Sequence, residues 1–174
     1  MSKLTLLCGP PQSGKTAAGI KIGFLGYKAG ENRYTYSRPT KDKTAEFFEV
    51  CKSLADYVFL DCTSSLDDPL SVYGMAAADK AVQLITPDIR SAAYYASFEK
   101  TYEQIKGKSI GVINITDKDL YLPVGEVKAG FSNAKYILPY SMYLKQQYIT
   151  GELTHKIPDQ KFSAVCRGIA GAVL

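Results

Sequence analysis

Residues 3–16 read KLTLLCGPPQSGKT, an apolar run followed by the pattern G-x-x-x-x-G-K-[ST]. The apolar run Lys3–Cys8 predicts a buried β-strand, since glycine and proline follow it directly. The pattern spans Gly9 to Thr16, and the residues after it predict a helix that ends at Ala29. A strand, this loop and a helix form the context in which the pattern binds phosphate groups. The sequence therefore predicts a phosphate-binding loop near its beginning.

Each part of this loop has a chemical role. The backbone N–H groups of the loop and the N-terminus of the helix form an anion-binding nest. Lys15 would place a positive charge beside the β and γ phosphates, and the Thr16 hydroxyl would bind Mg²⁺. An ordinary glycine-containing turn would not need Lys and Thr after Gly14. The candidate nucleotide-binding residues of the loop are Gly9, Pro10, Pro11, Gln12, Ser13, Gly14, Lys15 and Thr16.

An acidic residue is expected near the metal, at the end of a neighbouring strand. The apolar run Tyr57–Leu60 predicts a strand, and Asp61 follows it directly. Asp61 is therefore the candidate Walker B acid, a Mg²⁺ ligand and catalytic residue; the alternative is a turn residue at a strand end. Asp67 and Asp68 lie further along, where Asp-Pro before a helix favours an N-cap.

Short apolar runs and helical patterns alternate along the rest of the chain. Further strands are predicted at Tyr34–Ser37, Ala81–Thr86, Ser109–Thr116 and Lys135–Leu138. Further helices are predicted at Lys43–Ala55, after Pro69, from Pro87 to Lys106, at Ser141–Thr150 and at Gln160–Val173. This alternation predicts a three-layer α/β fold, with a mostly parallel sheet covered by helices on both faces. At 174 residues the length fits one nucleotide-binding domain, 1–174.

Composition excludes several other classes. A single histidine, His155, excludes a multi-histidine metal site, and none of the four cysteines forms a Cys-x-x-Cys pair. The net charge of +4 is too small to indicate a nucleic-acid-binding protein by itself. The sequence shows neither a signal peptide nor an apolar run of about 18 residues, so we expect a cytoplasmic protein without a membrane segment.

With these residues placed, the chain resembles the MinD/ParA group of P-loop ATPases, of the SIMIBI class, over nearly its whole length. Beyond the phosphate loop, the similar segments are Tyr57–Asp61, Ala77–Val82, Thr86–Asp88, Ile113–Asn114 and Leu138–Tyr140, with Gly151 at a distance. The resemblance implies a P-loop fold that binds ATP and Mg²⁺, with Asn114 and Pro139 among the nucleotide-binding residues. Residues 64–69 are similar to the CpaE/TadZ branch, which helps to localise pilus assembly.

The chain also departs from that family. Pro10 stands where the family has a signature lysine that reaches the partner subunit's nucleotide. Only 40 residues separate Lys15 from Asp56, so the region between the phosphate loop and the Walker B strand is shortened. The first switch region is trimmed with it, and Asp42 is the only acid left in a suitable place. These departures predict weak ATPase activity.

Two interpretations of the base site remain open. The family's strand-end asparagine contacts adenine, and Asn114 holds that position. The residues from Asn114 to Asp117 also follow the N-x-x-D part of the guanine-reading motif of GTPases, although isoleucine replaces the usual lysine at 115. ATP is the favoured nucleotide, and GTP is the alternative.

Three functions are compatible with these residues. The first is an ATP-Mg²⁺ switch that acts through a protein partner or a homodimer in spatial positioning, partitioning or pilus assembly. The second is a small-molecule kinase or a ligase of the dethiobiotin synthetase type, with basic groups around the γ-phosphate drawn from Arg33, Arg38, Lys41 and Arg90. The third is a nucleotide-binding scaffold that no longer hydrolyses.

The segment 28–43 is the most basic part of the chain. It holds five basic and two acidic residues, a net charge of +3 out of the total +4. A solvated loop and a nucleic-acid-facing patch both fit this charge. Tyr34 and Tyr36 lie between the basic residues, which slightly favours contact with a partner of some kind.

Overall fold

The structure is a computed structural model, and it describes residues 3–4, 25–32, 34–64, 67–119, 122–131, 133–152 and 155–174. The predicted phosphate loop Gly9–Thr16, most of the helix predicted after it, and Arg33 lie outside the described residues. The chain divides into two compact units, Met1–Ala77 and Ala78–Leu174. Each unit is described by itself.

The first unit contains two short parallel strands and two helices. Strand β1 (Lys3–Leu4) pairs with β2 (Tyr57–Val58), with Lys3 opposite Tyr57 and Leu4 opposite Val58. The helices are α1 (Lys41–Leu54) and α2 (Pro69–Ala77). Both were predicted, and the strand predicted over Tyr57–Leu60 is confirmed for its first two residues.

Local chemistry explains where α1 begins and which face it buries. The Thr40 side chain caps the helix by accepting from the Lys43 N–H, and the Thr44 hydroxyl donates to the Thr40 carbonyl at 2.9 Å. Phe48 and Cys51 are buried on the face that packs toward α2. Gly74 on α2 leaves the space that the Leu60 side chain occupies, since a Cβ there would overlap Leu60 Cδ2.

The second unit is built on a three-stranded parallel sheet. Its strands are β3 (Ala81–Ile85), β4 (Ser109–Asn114) and β5 (Ala134–Leu138), with β4 in the centre. Its helices are α3 (Ile89–Ser97), α4 (Glu99–Glu103), α5 (Val124–Gly130), α6 (Met142–Thr150) and α7 (Gln160–Val173). A 3₁₀ turn, Lys106–Lys108, precedes β4.

Both faces of this sheet carry helices. On one face, Ile85 and Ile113 are fully buried and form a cluster with Val127 of α5, against which Tyr95 of α3 packs. On the other, the Tyr136 hydroxyl donates to the Gly168 carbonyl of α7 at 3.0 Å. The predicted α/β fold, with a parallel sheet flanked by helices, is therefore confirmed.

The structure corrects three of the predicted elements, two in the first unit and one in the second. The strand predicted at Tyr34–Ser37 is a turn, because the Asn32 side chain accepts from the Tyr34 N–H and its carbonyl accepts from the Thr35 N–H. The helix predicted to end at Ala29 is absent over residues 25–29, where the chain is irregular and turns at Gly30.

The third correction concerns the long helix predicted from Pro87 to Lys106. It breaks at Phe98, whose φ of −117° and ψ of 18° are not helical, so that α3 and α4 are separate. At the break, the centres of the Phe98 and Tyr94 rings lie 5.0 Å apart, and the Tyr94 ring also contacts Tyr102 across the two helices. Helix α5 was not predicted. Among the described residues, no helix has the length and apolar character needed to cross a membrane.

Candidate functional site

The parallel pairing of β1 and β2 bears on the position of Asp61, the candidate Walker B acid. Because the two strands run in the same direction and in register, the chain leaves both of them through the same edge of the sheet. Gly9 follows Leu4 by five residues, and Asp61 follows Val58 by three. The Asp61 side chain is exposed. The candidate Walker B acid thus stands at the edge toward which the strand before the phosphate loop runs.

The segment after Asp61 is held by one buried hydroxyl. The Ser71 side chain is 2% exposed, and its Oγ accepts from the Thr63 N–H at 2.9 Å. Ser71 in turn donates both its N–H and its hydroxyl to the Asp68 carboxylate. Since the Asp68 carbonyl also accepts from the Val72 N–H, Asp68 caps α2, as predicted.

Cys62 and Asp67 follow Asp61 closely in the sequence, and their contacts do not favour a role in metal binding. Burial raises the pKa of the Cys62 thiol to about 11, so the thiol is protonated at neutral pH and is a poor nucleophile. Asp67 lies 4.0 Å from the Arg38 guanidinium, and both side chains are about two-thirds exposed. Neither residue is positioned as a second metal ligand by its contacts.

A magnesium ion fits what is described of this edge. Mg²⁺ is usually held by one or two carboxylates, substrate phosphates and several waters, not by a cage of protein ligands. The exposed Asp61 carboxylate is a donor of that kind. The other candidate ligand, Thr16, lies outside the described residues. Within the described ranges, no group of three or more His, Cys, Asp or Glu side chains forms a metal-binding cluster.

The two candidate base residues lie side by side in the second unit. Asn114 ends β4 opposite Leu138, the last residue of β5, and Pro139 follows directly. The Ile115 N–H extends this pairing by donating to the Leu138 carbonyl at 2.9 Å. Both residues therefore stand at the carboxyl edge of the sheet, where open parallel sheets bind their ligands.

The segment Thr86–Asp88 reaches the same edge after β3, but its polar groups are bonded locally. The Asp88 carboxylate accepts from the Ser91 N–H at 2.8 Å and from the Thr86 hydroxyl, and so caps α3. These bonds hold the pKa of Asp88 below its ordinary value, and the bond from the Thr86 hydroxyl contributes more than the bond from the Ser91 N–H. These residues therefore fix the start of a helix.

Charged side chains also lie near this edge of the sheet, namely Asp117, Lys118 and Lys145. The Asp117 side chain is exposed, and its Oδ1 accepts from the neighbouring Lys118 N–H at 2.7 Å. The Lys118 and Lys145 ammonium groups lie 5.9 Å and 6.0 Å from the centre of the Tyr140 ring. Sequence reasoning missed this arrangement, although Tyr140 follows Pro139 directly and so had to lie near the edge.

Comparisons with known proteins give one line of support, from structure. Neither a protein-family model nor a curated protein sequence matches the chain. The fold is similar to the crystal structure of a ParA family ATPase from Chlorobium tepidum TLS, with a TM-score of 0.61 and 15% sequence identity. The match covers 76% of this chain and 57% of that chain, so this chain spans little more than half of that ATPase. At this identity the likeness shows a shared fold.

Proposed function

We propose that this chain is a nucleotide-binding switch that binds ATP with Mg²⁺. The observation that carries the proposal is the in-register parallel pairing of β1 and β2. Strand β1 runs toward the edge of the sheet at which β2 ends, and Asp61 follows β2 by three residues, which supports a phosphate and magnesium site at that edge. The likeness to a ParA family ATPase supports the fold in which such a site operates.

In this proposal Lys15 and Thr16 hold the β and γ phosphates and the metal, and Asp61 completes the metal's ligands. When bound, Mg²⁺ supplies charge neutralisation at the phosphate oxygens. Asn114 and Pro139, as the resemblance implies, are the proposed contacts of the base. An amide at that position offers adenine both a donor and an acceptor.

Hydrolysis is proposed to be slow, and the chain to act through a partner. Pro10 replaces the family's signature lysine, and Asp42 is the only described acid in a suitable place for the first switch region. Asp42 lies in the first turn of α1 and is exposed. The proposed output is a nucleotide-dependent contact with a protein partner or a second copy, in spatial positioning, partitioning or pilus assembly.

Calorimetric titration of Mg²⁺-ATP tests the binding step. We expect Lys15→Ala to weaken binding at least about tenfold, which is about 1.4 kcal/mol, because it removes the charge that faces the phosphates. Lys106→Ala is the matched control, since Lys106 makes only an exposed ion pair with Glu103 at 2.8 Å. Unchanged affinity of Lys15→Ala, at a thermal stability equal to the parent's, would contradict the phosphate-loop assignment.

A phosphate-release assay tests the reaction. The switch proposal predicts a basal rate well below the ~1–100 s⁻¹ of dedicated kinases. Asp61→Asn should weaken Mg²⁺-dependent nucleotide binding while leaving metal-free binding in EDTA unchanged. A large stimulation by a small-molecule acceptor would instead favour the kinase or ligase function.

A further inference from the structure

Three tyrosines lie on the surface of one loop of the first unit. The rings of Tyr27 and Tyr36 stack with their centres 6.1 Å apart and their planes 11° from parallel. The two side chains are still 49% and 55% exposed, and Tyr34 beside them is 79% exposed. Large aromatic side chains grouped on a surface indicate a binding face, because folding gains little from leaving them in water.

Hydrogen bonds within the loop hold these rings in place. The Glu31 N–H donates to the Lys28 carbonyl, and the Lys28 N–H donates to the Glu31 carboxylate at 3.1 Å. Asn32 and Thr35 are joined by a bond in each direction, at 2.9 and 3.0 Å. A loop closed by its own backbone bonds presents its side chains with little further loss of conformational entropy on binding.

Positive charge surrounds the rings. Lys28, Arg38, Lys41 and Lys43 are all exposed in the segment 25–43. Of its two acids, Glu31 already accepts from the loop backbone and from the Tyr36 hydroxyl, a bond that raises the pKa of Tyr36. Asp42 lies in the first turn of α1. The net positive charge therefore faces solvent together with the aromatic faces.

We propose that residues 25–32 and 34–43, which we call the tyrosine loop, bind single-stranded nucleic acid. Exposed aromatic faces stack on unpaired bases, and ammonium and guanidinium groups follow the phosphate backbone. The base faces of a duplex are buried by stacking, so a duplex would contact the charged groups of this surface and not its aromatic rings. Recognition through bases and phosphates needs no 2′-hydroxyl, so DNA and RNA strands of one length should bind alike. This inference does not depend on nucleotide binding.

Fluorescence anisotropy of the full chain, without nucleotide, tests the proposal. The probes are labelled 20-residue oligothymidylate, oligouridylate of the same length and a duplex of 20 base pairs. We expect both single strands to bind, more tightly than the duplex, with affinity falling as salt rises. Replacing Lys41 and Lys43 with glutamine should reduce the salt dependence.

Three variants separate stacking from charge. Tyr34→Ala should weaken single-strand binding at least about fivefold, whereas Tyr34→Phe should stay within about twofold of the parent because it keeps the ring. Tyr148→Ala is the matched control, since Tyr148 is 74% exposed on α6 in the other unit. Binding of neither strand at low salt would overturn the proposal. So would equal affinity for duplex and single strand with no effect of Tyr34→Ala, which would indicate a general anion or protein contact.

Discussion

The carboxylate of Asp68 accepts hydrogen bonds from both the backbone N–H and the hydroxyl of Ser71, at 2.9 and 2.5 Å. The Ser71 Oγ also accepts from the Thr63 N–H, two residues beyond Asp61, so Ser71 links Asp68 to the segment after Asp61. One carboxylate therefore fixes both the beginning of α2 and the segment that follows the candidate Walker B acid. Asp68 acts by positioning, whereas Asp61 is the proposed ligand.

Asp68→Ala should lower the free energy of unfolding by about 2 kcal/mol. It removes a helix cap, which contributes about 0.5–2 kcal/mol, and leaves the buried Ser71 hydroxyl without its acceptor. Urea denaturation of parent and variant measures the change. Asp67→Ala is the control and should stay within about 0.5 kcal/mol, because its ion pair with Arg38 is exposed. Equal losses in the two variants would contradict the capping role.

Much of the fold was predictable because local and tertiary preferences agree. The strands of the second unit are mostly apolar, and helices α1 and α7 begin at N-cap side chains, Thr40 and Asp159. The resemblance to the MinD/ParA group also predicted Asn114 at a strand end, and the predicted strand Lys135–Leu138 put Pro139 directly after another. Their adjacency follows from the register of β4 and β5, which the sequence does not state.

Helix α5 was missed because contacts distant in sequence stabilise it. Helix α5 starts after Pro123 without a capping side chain and has glycine near both ends, so its sequence carries little helical signal. Its Val127 is buried in the cluster with Ile85 and Ile113, and that packing stabilises it. The helical pattern also runs unbroken through Phe98, so the sequence gives no signal for the break between α3 and α4.

Gly111→Ala should destabilise the second unit. A Cβ at this position would lie 2.9 Å from the Ala134 backbone and from the Asn133 carbonyl oxygen, where β4 and β5 shift register. Because those atoms belong to backbone, the sheet must move, and we expect a loss of about 1–3 kcal/mol in the free energy of unfolding.

Chemical denaturation with Gly125→Ala as the control tests this. No atom comes within 4 Å of a Cβ at Gly125, which lies in α5, so that variant should be neutral or slightly stabilising. A Gly111→Ala protein as stable as the parent would show that the close approach of β4 and β5 is absent in solution.

Asp88→Ala should destabilise the protein in a pH-dependent way. The cap bonds to Thr86 and Ser91 hold the folded-state pKa of Asp88 below its ordinary value of 3.8. A depressed carboxyl pKa contributes stability above the unfolded-state pKa, and this contribution is lost as the pH falls through the folded value. The variant should therefore lose about 1 kcal/mol at about pH 7 and less at about pH 3.

Urea unfolding of parent and Asp88→Ala at several pH values measures this difference. Asp119→Ala, which removes an exposed carboxylate from the same unit, is the control and should show little change at any pH. A deficit in Asp88→Ala that grows toward low pH has the opposite sign and would contradict the charged cap.

The choice of base distinguishes the two interpretations of residues 114–117. If Asn114 contacts adenine, Asn114→Ala should weaken ATP binding about tenfold, since adenine loses both amide bonds. Asp117→Ala should then change ATP affinity by no more than about 0.5 kcal/mol, because Asp117 is exposed and bonded to the Lys118 N–H. If Asp117 instead reads guanine, its loss leaves two donors unmet, at about 1–3 kcal/mol each, and abolishes a preference for GTP. Titrating ATP and GTP into the parent and both variants decides the matter. A parent that prefers GTP, with that preference lost in Asp117→Ala, would overturn the adenine assignment and leave the phosphate loop unaffected.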